Sequence, residues 1–233
     1  MRIDMNFSYL NFENRFRGSE EQVREEMRKY LPFFAEGGKI VDIGCGRGEF
    51  LELLKEQGSL EAYGVDIDDS MLDCCTGKKL TVKKEEALLH LRGTADESLD
   101  GIFISHVVEH LTPSDFQTLT GEAYRTLRKG GAFAAETLNP ACIWGLTTFT
   151  IDLSHRVPIH PLTFQFLLEA QGFREISFLC RQYLPEDMLT LTQITAGPES
   201  TPLERACADN MQKLQLIISC AFRDFIYGIT ARK

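Results

Sequence analysis

The segment that most constrains this 233-residue chain is residues 39–49, KIVDIGCGRGE. A short apolar run, Ile40, Val41 and Ile43, carries an acid at Asp42 and then breaks into Gly44-Cys45-Gly46-Arg47-Gly48. A stretch with Phe50, Leu51, Leu53 and Leu54 on one face follows at once. That order predicts strand, glycine turn, helix. Glycine at 44 and 46 lets the backbone turn tightly and approach a ligand with no Cβ in between. The helix opening behind the turn aims free N–H groups and its positive dipole end at whatever is bound.

Spacing narrows the ligand. A dinucleotide fingerprint reads G-x-G-x-x-G, whereas this chain reads G-x-G-x-G with an acid two residues ahead of the first glycine. The next predicted strand, 61–66 (EAYGVD), ends in Asp66, 18 residues past Gly48. A carboxylate there suits paired hydrogen bonds to ribose hydroxyls. Turn and second-strand acid together resemble the class I S-adenosylmethionine (SAM) dependent methyltransferases. The resemblance implies SAM as cofactor, with Asp42, Gly44, Cys45 and Gly46 around its methionine part, Asp66 on its ribose and Ile67 beside its adenine. It also implies roles for Glu86 and Ala87 at the adenine amino group, and for Ser105 and His106 at the end of the fourth strand. A solvated surface is the competing reading for Glu86.

Beyond residue 39 the pattern alternates. Strands are expected at 40–43, 61–66, 80–84, 100–105 and 132–137, and helices at 48–57, 69–75, 86–90 and 113–128. Thr112-Pro113 is a cap followed by proline at the first helical position. A helix at 161–171, a strand at 173–184, a connection over 186–202, a helix at 203–217 and a last strand at 221–231 complete the chain. This is an α/β pattern: a Rossmann-like, doubly wound, seven-stranded, mostly parallel sheet with an antiparallel last strand. Ser19 and Gln22 form a capping box for a helix over 20–30. Ahead of it residues 1–18 are polar with interleaved aromatics (Phe7, Tyr9, Phe12, Phe16), and Arg15 and Arg17 are placed to reach an anionic ligand. The whole chain reads as one domain: 1–36 a lead-in or lid, 37–137 the cofactor core, 138–160 an acceptor-side insertion, 161–233 the rest of the sheet.

The formal net charge of −9 argues against a grip on nucleic acid through bulk electrostatics. No apolar run approaches a membrane span, and the first 18 residues are too polar for a secretory leader. The seven cysteines are odd in number and lack C-x-x-C spacing, so most are expected as small buried hydrophobes in a reducing cytoplasm.

Two stretches carry further chemistry. His106-Val107-Val108-Glu109-His110 spells H-x-x-E-H, a zinc motif when helical; here it follows a strand and sits in a turn, where class I methyltransferases commonly carry E-H-L. Small-RNA methyltransferases of that class bind a metal through E-x-x-E-H, with His106 here replacing the first Glu. The second stretch is Asp152-Leu153-Ser154-His155-Arg156-Val157-Pro158-Ile159-His160-Pro161. It resembles the D-P-T-H-x-x-P-x-H-P stretch in the methyltransferase part of bacterial O-antigen chain-terminating proteins and related polysaccharide-cluster methyltransferases. Phe12-Glu13 with Arg17-Gly18-Ser19 matches their F-E…R-G-S lead-in, and residues 221–233 resemble their closing strand. In the chain terminators the acceptor is a phosphate on a sugar.

His155 and His106 are near-neutral bases suited to a hydroxyl acceptor, and Arg156 is a fork for phosphate or carboxylate. An Asp152–His155 hydrogen bond that merely braces the insertion is the competing reading. Trp144, Phe149 and Tyr183 are candidate walls of an acceptor pocket. The expectation is methyl transfer from SAM to a small-molecule or saccharide-linked acceptor, at oxygen, with no resident metal. A metal-assisted transferase using His106, Glu109 and His110, and a SAM-binding partner protein without turnover, stand as alternatives.

Overall fold

Strand faces in this chain alternate between two apolar layers, and both layers are filled. The computed structural model describes residues 9–35, 37–59, 61–181, 191, 195–222 and 224–233. Strands β1 (Ile40–Ile43), β2 (Tyr63–Asp66), β3 (Val82–Lys84), β4 (Leu99–Ser105), β5 (Leu127–Leu138), β6 (Arg174–Arg181) and β7 (Ile226–Arg232) form one sheet in the order β3-β2-β1-β4-β5-β7-β6. Only β7 runs against its neighbours, wedged between β5 and β6. The chain order reverses between β1 and β4, the point where doubly wound sheets leave a crevice beyond the strand ends.

On one face, Ile40, Phe103, Ala132 and Ala134 pack with Tyr30, Phe34, Phe50 and Leu54. These come from helix α2 (Glu20–Met27) with the 3₁₀ segment Arg28–Phe34, and from α3 (Glu49–Glu56). On the other, Val41, Ile43, Ile102, Ile104 and Phe133 meet Leu91, Phe116, Leu119, Phe164 and Leu168. Helices α5 (Ala87–Gly93), α6 (Pro113–Thr126) and α8 (Pro161–Gln171) supply that layer. The period of two along each strand thus sends successive residues to opposite cores. Helix α1 (Tyr9–Phe16) precedes this body, α4 (Asp69–Gly77) follows β2, α7 (Ile143–Phe149) lies in the insertion, and α9 (Pro202–Phe222) precedes β7.

The expected elements are present, with shifted ends. The helix expected over 20–30 stops at Met27 and tightens to 3₁₀ through Pro32, which buries Tyr30 and Phe34. The helix expected to reach 128 ends at Thr126, because Leu127 turns extended and pairs with Leu99 on β4; β5 then begins five residues before the expected strand, with a bulge at Gly130 (φ +75°). Near the C-terminus α9 runs to Phe222 rather than 217, and β7 starts at Ile226 rather than 221, after Asp224 at φ +58°. Phe7, Tyr183 and residues 186–190 and 192–194 of the connection expected over 186–202 lie outside the described residues. The six described cysteines are free thiols; Cys45, Cys75 and Cys142 are buried while Cys180 and Cys207 are exposed, so burial holds for half rather than most. Among the described residues no helix is long and apolar enough to cross a membrane.

Candidate functional site

The glycine turn forms as its sequence requires. Gly44 (φ +70°), Gly46 (φ +52°) and Gly48 (φ +86°) all occupy left-handed backbone. The Gly44 N–H donates to the Val65 carbonyl at 2.7 Å, which ties the turn to β2. Asp66 closes the other side: the Gly46 N–H donates to Oδ2 (3.0 Å) and the Asp68 N–H to Oδ1 (2.9 Å). Burial raises the Asp66 carboxyl above its ordinary value, against these backbone hydrogen bonds, which lower it. Ile67 beside it is 66% exposed, an apolar surface at the mouth of the crevice.

Asp42, on β1 beneath the turn, is 2% exposed. Burial, then the nearby Glu49 charge, push its carboxyl well above the ordinary range, and Arg17 opposes them. The Cys45 side chain is buried. Its thiol packs toward Gly64 and Leu51, its N–H donates to the Val65 carbonyl, and its carbonyl accepts from Gly48. Glu86 is an exposed N-cap whose carboxylate accepts from the Leu89 N–H at 2.9 Å through Oε2. Ala87, the first residue of α5, is buried behind it.

Helix α1 lies over the turn. Arg17 Nη1 donates to both Glu13 oxygens (3.0 and 3.3 Å) and Nη2 to Ser105 Oγ (3.1 Å). A Cβ on Gly46 would stand 3.8 Å from Arg17 and from Glu13. The lead-in therefore delivers an arginine held by an exchangeable carboxylate to the crevice. Arg47, unremarked in the sequence, is 2% exposed and fastens this cover by donating to Glu49 (2.6 Å), Asn14 (2.8 Å) and the Gly18 carbonyl (3.3 Å).

The turn after β4 holds a charged network. His106 sits at φ +55° with its side chain four-fifths buried. Its Nδ1 donates to Glu109 Oε1 (3.0 Å), and Nε2 lies 3.7 Å from Glu136 Oε1. Glu136 Oε2 accepts from Tyr30 Oη (2.7 Å) and pairs with Lys29 Nζ (2.8 Å). Burial works against the charged imidazole, but the bonds to Glu109 and Glu136 outweigh it and raise His106 to about 9. Burial likewise opposes ionised Glu136, yet His106 and Lys29 hold it far below the usual carboxylate range. Its two carboxylate neighbours thus favour the imidazolium, a donor and a charge, which opposes the general-base role expected of His106. Glu136 was missed; its signal was an acid at the carboxyl end of the otherwise apolar AFAAE run.

The stability carried by this network has a definite sign. Because His106 is raised in the fold, its contribution is complete below its unfolded value near 6.5 and lost as pH rises through about 9. Unfolding free energy should fall by roughly 3 kcal/mol between those limits. His106→Asn, which tolerates the left-handed backbone, should flatten that slope in denaturant titrations at pH 6.5 and 9.5. A wild-type slope that persists in the variant would place the titrating group elsewhere.

The H-x-x-E-H residues do not converge. The 3₁₀ turn Val108–His110 points Glu109 back at His106, while His110 turns to the insertion, its Nδ1 3.1 Å from Ser154 Oγ. His155 is half-buried, with Nδ1 2.7 Å from the Phe149 carbonyl and its ring against Phe149. Its Nε2 is 3.9 Å from Asp152 Oδ2, too far for the expected bracing hydrogen bond. Arg156 is exposed and does not line the cavity described next; only its backbone is engaged, donating to the Glu109 carbonyl at 2.8 Å. The arginine fork expected at an acceptor is therefore not delivered by this conformation. His160 is the N-cap of α8. Trp144 meets Phe222 edge-on and is not in the cavity wall.

A cavity of about 420 Å³ opens between α1 and the insertion. Arg17, His106, Glu136, Asp152 and His155 give it polar groups, and Tyr9, Phe12 and Ile151 apolar walls. Its floor adjoins Ser105 through Arg17.

Comparison with known proteins follows this geometry. A methyltransferase domain model matches residues 41–135, from β1 into β5. A crystal structure of a SAM-dependent methyltransferase from Archaeoglobus fulgidus is 38% identical and superposes with a TM-score of 0.86, over 97% of this chain and 100% of that one. The biotin biosynthesis bifunctional protein BioHC of Teredinibacter turnerae is 34% identical over 47% of this chain and 21% of its own. A ubiquinone biosynthesis O-methyltransferase of Mesorhizobium japonicum is 29% identical over 48% of this chain and 45% of its own. The chain thus spans less than half the length of these two curated relatives.

Proposed function

This chain belongs to the class I SAM-dependent methyltransferases, and from that premise we propose that it methylates an oxygen of a small-molecule or saccharide-linked acceptor held in the cavity under α1. The observation that carries the proposal is the adjacency of two spaces: the glycine turn with Asp42 and Asp66, and the polar cavity bounded by His106, Asp152 and His155. The residues present fit the cofactor. Among the described residues nothing hydrogen-bonds the buried Asp42 carboxyl, so a cationic ligand end would find an unbonded acid there and favour its ionisation. Gly44 and Gly46 leave no Cβ over the approach.

When bound, SAM supplies an electrophilic methyl on a sulfonium. Arg17 would exchange Glu13 for the amino-acid carboxylate, with Ser105 steadying it. Gly44 and Gly46 would cradle the same end, and Asp42 would balance its positive charge. Asp66 would bind the ribose and Ile67 cover the adenine, while the Ala87 N–H, which α5 itself does not use, would face the adenine ring. Holding acceptor and methyl in line can account for about 7–11 kcal/mol of barrier lowering. His106, a cation, would orient an acceptor oxygen by donation. His155, with Nδ1 engaged at the Phe149 carbonyl, would offer Nε2 to a hydroxyl proton.

The likeness of residues 152–161 to the polysaccharide-cluster enzymes supports a saccharide-linked acceptor, and the name of the Mesorhizobium relative supports oxygen. The exposed position of Arg156 favours a hydroxyl over a phosphate clamped by that residue. The experiment is a transfer assay with methyl-labelled SAM on hydroxylated sugars, their phosphates and phenols. Label in an ether of a saccharide or phenol supports the reading. Label confined to a phosphate ester, or turnover lost in Arg156→Ala, overturns the choice of a hydroxyl over a phosphate, and label on nitrogen or carbon overturns the choice of oxygen.

A further inference from the structure

We propose that His110, Asp152 and His155 form a binding site for one divalent transition-metal ion, with Zn²⁺ the best-matched probe. One ligand atom from each lies within 4.8 Å of the other two. An ion with bonds of 2.0–2.2 Å sets its donors about 3.4 Å apart, so closure asks for movements of about an ångström.

The hydrogen bonds around the three groups leave lone pairs where such an ion needs them. His155 Nδ1 faces the Phe149 carbonyl at 2.7 Å, which can only accept; the ring proton therefore sits on Nδ1 and Nε2 carries a lone pair. Ser154 Oγ gives its proton to Asp152 Oδ1 (2.6 Å), so at 3.1 Å it accepts from His110 Nδ1, which leaves Nε2 as the ligand nitrogen of that ring in its neutral form. Asp152 Oδ1 also accepts the Ser154 N–H (2.8 Å), and Oδ2 accepts from Tyr9 Oη (3.2 Å). Across the centre, His155 Nε2 and Asp152 Oδ2 face each other at 3.9 Å, beyond hydrogen-bond distance. A cation between two such ligand atoms would bridge a gap that no hydrogen bond closes.

Orientation of metal-binding histidines by carbonyl and hydroxyl partners is the usual way such ligands are fixed. The two rings are also held edge to face, 4.7 Å between centroids at 63°, with Phe149 stacked on the outer side of His155. Two imidazoles and one carboxylate suit Zn²⁺, Fe²⁺, Co²⁺ or Ni²⁺ and suit Mg²⁺ poorly. Three protein ligands leave a coordination position open. Since Asp152 and His155 line the cavity, an ion there is within reach of a bound acceptor. A hydroxyl at the open position would lose its proton more readily. That role rests on the oxygen-acceptor reading and would replace His155 as base; the binding itself does not rest on it.

The test is calorimetric titration of chelator-treated full-length protein with Zn²⁺, with absorption spectra of the Co²⁺-loaded form. One equivalent is expected with visible bands of a nitrogen-bound site. His155→Ala and His110→Gln should weaken Zn²⁺ by a hundredfold or more, and Asp152→Asn by about tenfold. If a ligand variant does not fold, Ser154→Ala, which removes the hydroxyl that orients both His110 and Asp152 and leaves all three ligands in place, should weaken Zn²⁺ by about tenfold. S-adenosylhomocysteine affinity should change less than twofold in these variants, so loss of the cofactor reading and loss of the metal reading appear in separate measurements. No stoichiometric Zn²⁺ binding, or binding indifferent to all four substitutions, overturns the site.

Discussion

Gly44→Ala is expected to lose about 2–5 kcal/mol of stability and at least tenfold in affinity for S-adenosylhomocysteine. The first contribution is backbone: an L side chain at φ +70° costs about 1–2 kcal/mol. The second is steric. A Cβ at this position would lie 2.1 Å from Val107 Cγ2, where no carbon is tolerated, and repacking of that kind costs about 1–3 kcal/mol. For a chain of this size each kcal/mol lowers the melting temperature by about 2–4 °C, so a drop of roughly 5–15 °C should appear in thermal unfolding. The double variant Gly44→Ala/Val107→Ala removes the contact and keeps the backbone strain. It should recover part of the melting temperature without recovering the affinity, since the turn remains displaced. Wild-type melting and affinity in Gly44→Ala would mean that the turn is not held as described.

The second large effect concerns Asp66→Ala. Its carboxylate braces the turn through the Gly46 and Asp68 N–H groups and is also the assigned ribose ligand. Affinity should fall tenfold or more, about 1.4 kcal/mol. A cycle separates the two roles: wild type should bind S-adenosylhomocysteine much more tightly than its 2′,3′-dideoxy analogue, and the variant should not distinguish them. If the variant loses affinity for both ligands equally, Asp66 acts only as a brace. If affinity is unchanged, the site lies elsewhere.

How far the sequence could be read follows from which interactions are local. Strand, turn and helix over 40–56 were legible because glycine conformation and hydrophobic period act within a few residues of each other. The same holds for the capped starts of α2, α6 and α8. Helix α1 was not: Tyr9, Phe12 and Phe16 read as a polar lead-in with stray aromatics, and the helix is fixed by the Arg17–Glu13 pair and by contacts with Ser105 and Arg47 far along the chain. Cys45 stands in the ligand-facing turn, yet its direction is set by β2 and α3, which the motif alone does not reveal. Glu86 illustrates competition. A carboxylate one residue before a helix caps it, so Glu86 has a local role that the resemblance alone did not reveal. His106 and Glu109 were singled out together only as metal ligands, with His110; in the fold they pair with each other, and the imidazole also faces Glu136, thirty residues on. His110 meets Asp152 and His155 only because the insertion folds back over the β4 turn.

The most direct test of the account is calorimetric titration of the full chain with S-adenosylhomocysteine, with NAD as the competing ligand. One site of about micromolar affinity or tighter is predicted, with no heat from NAD. Absence of binding, or a preference for NAD, would contradict the assignment of the glycine turn and Asp66 to SAM, and with it the proposed chemistry.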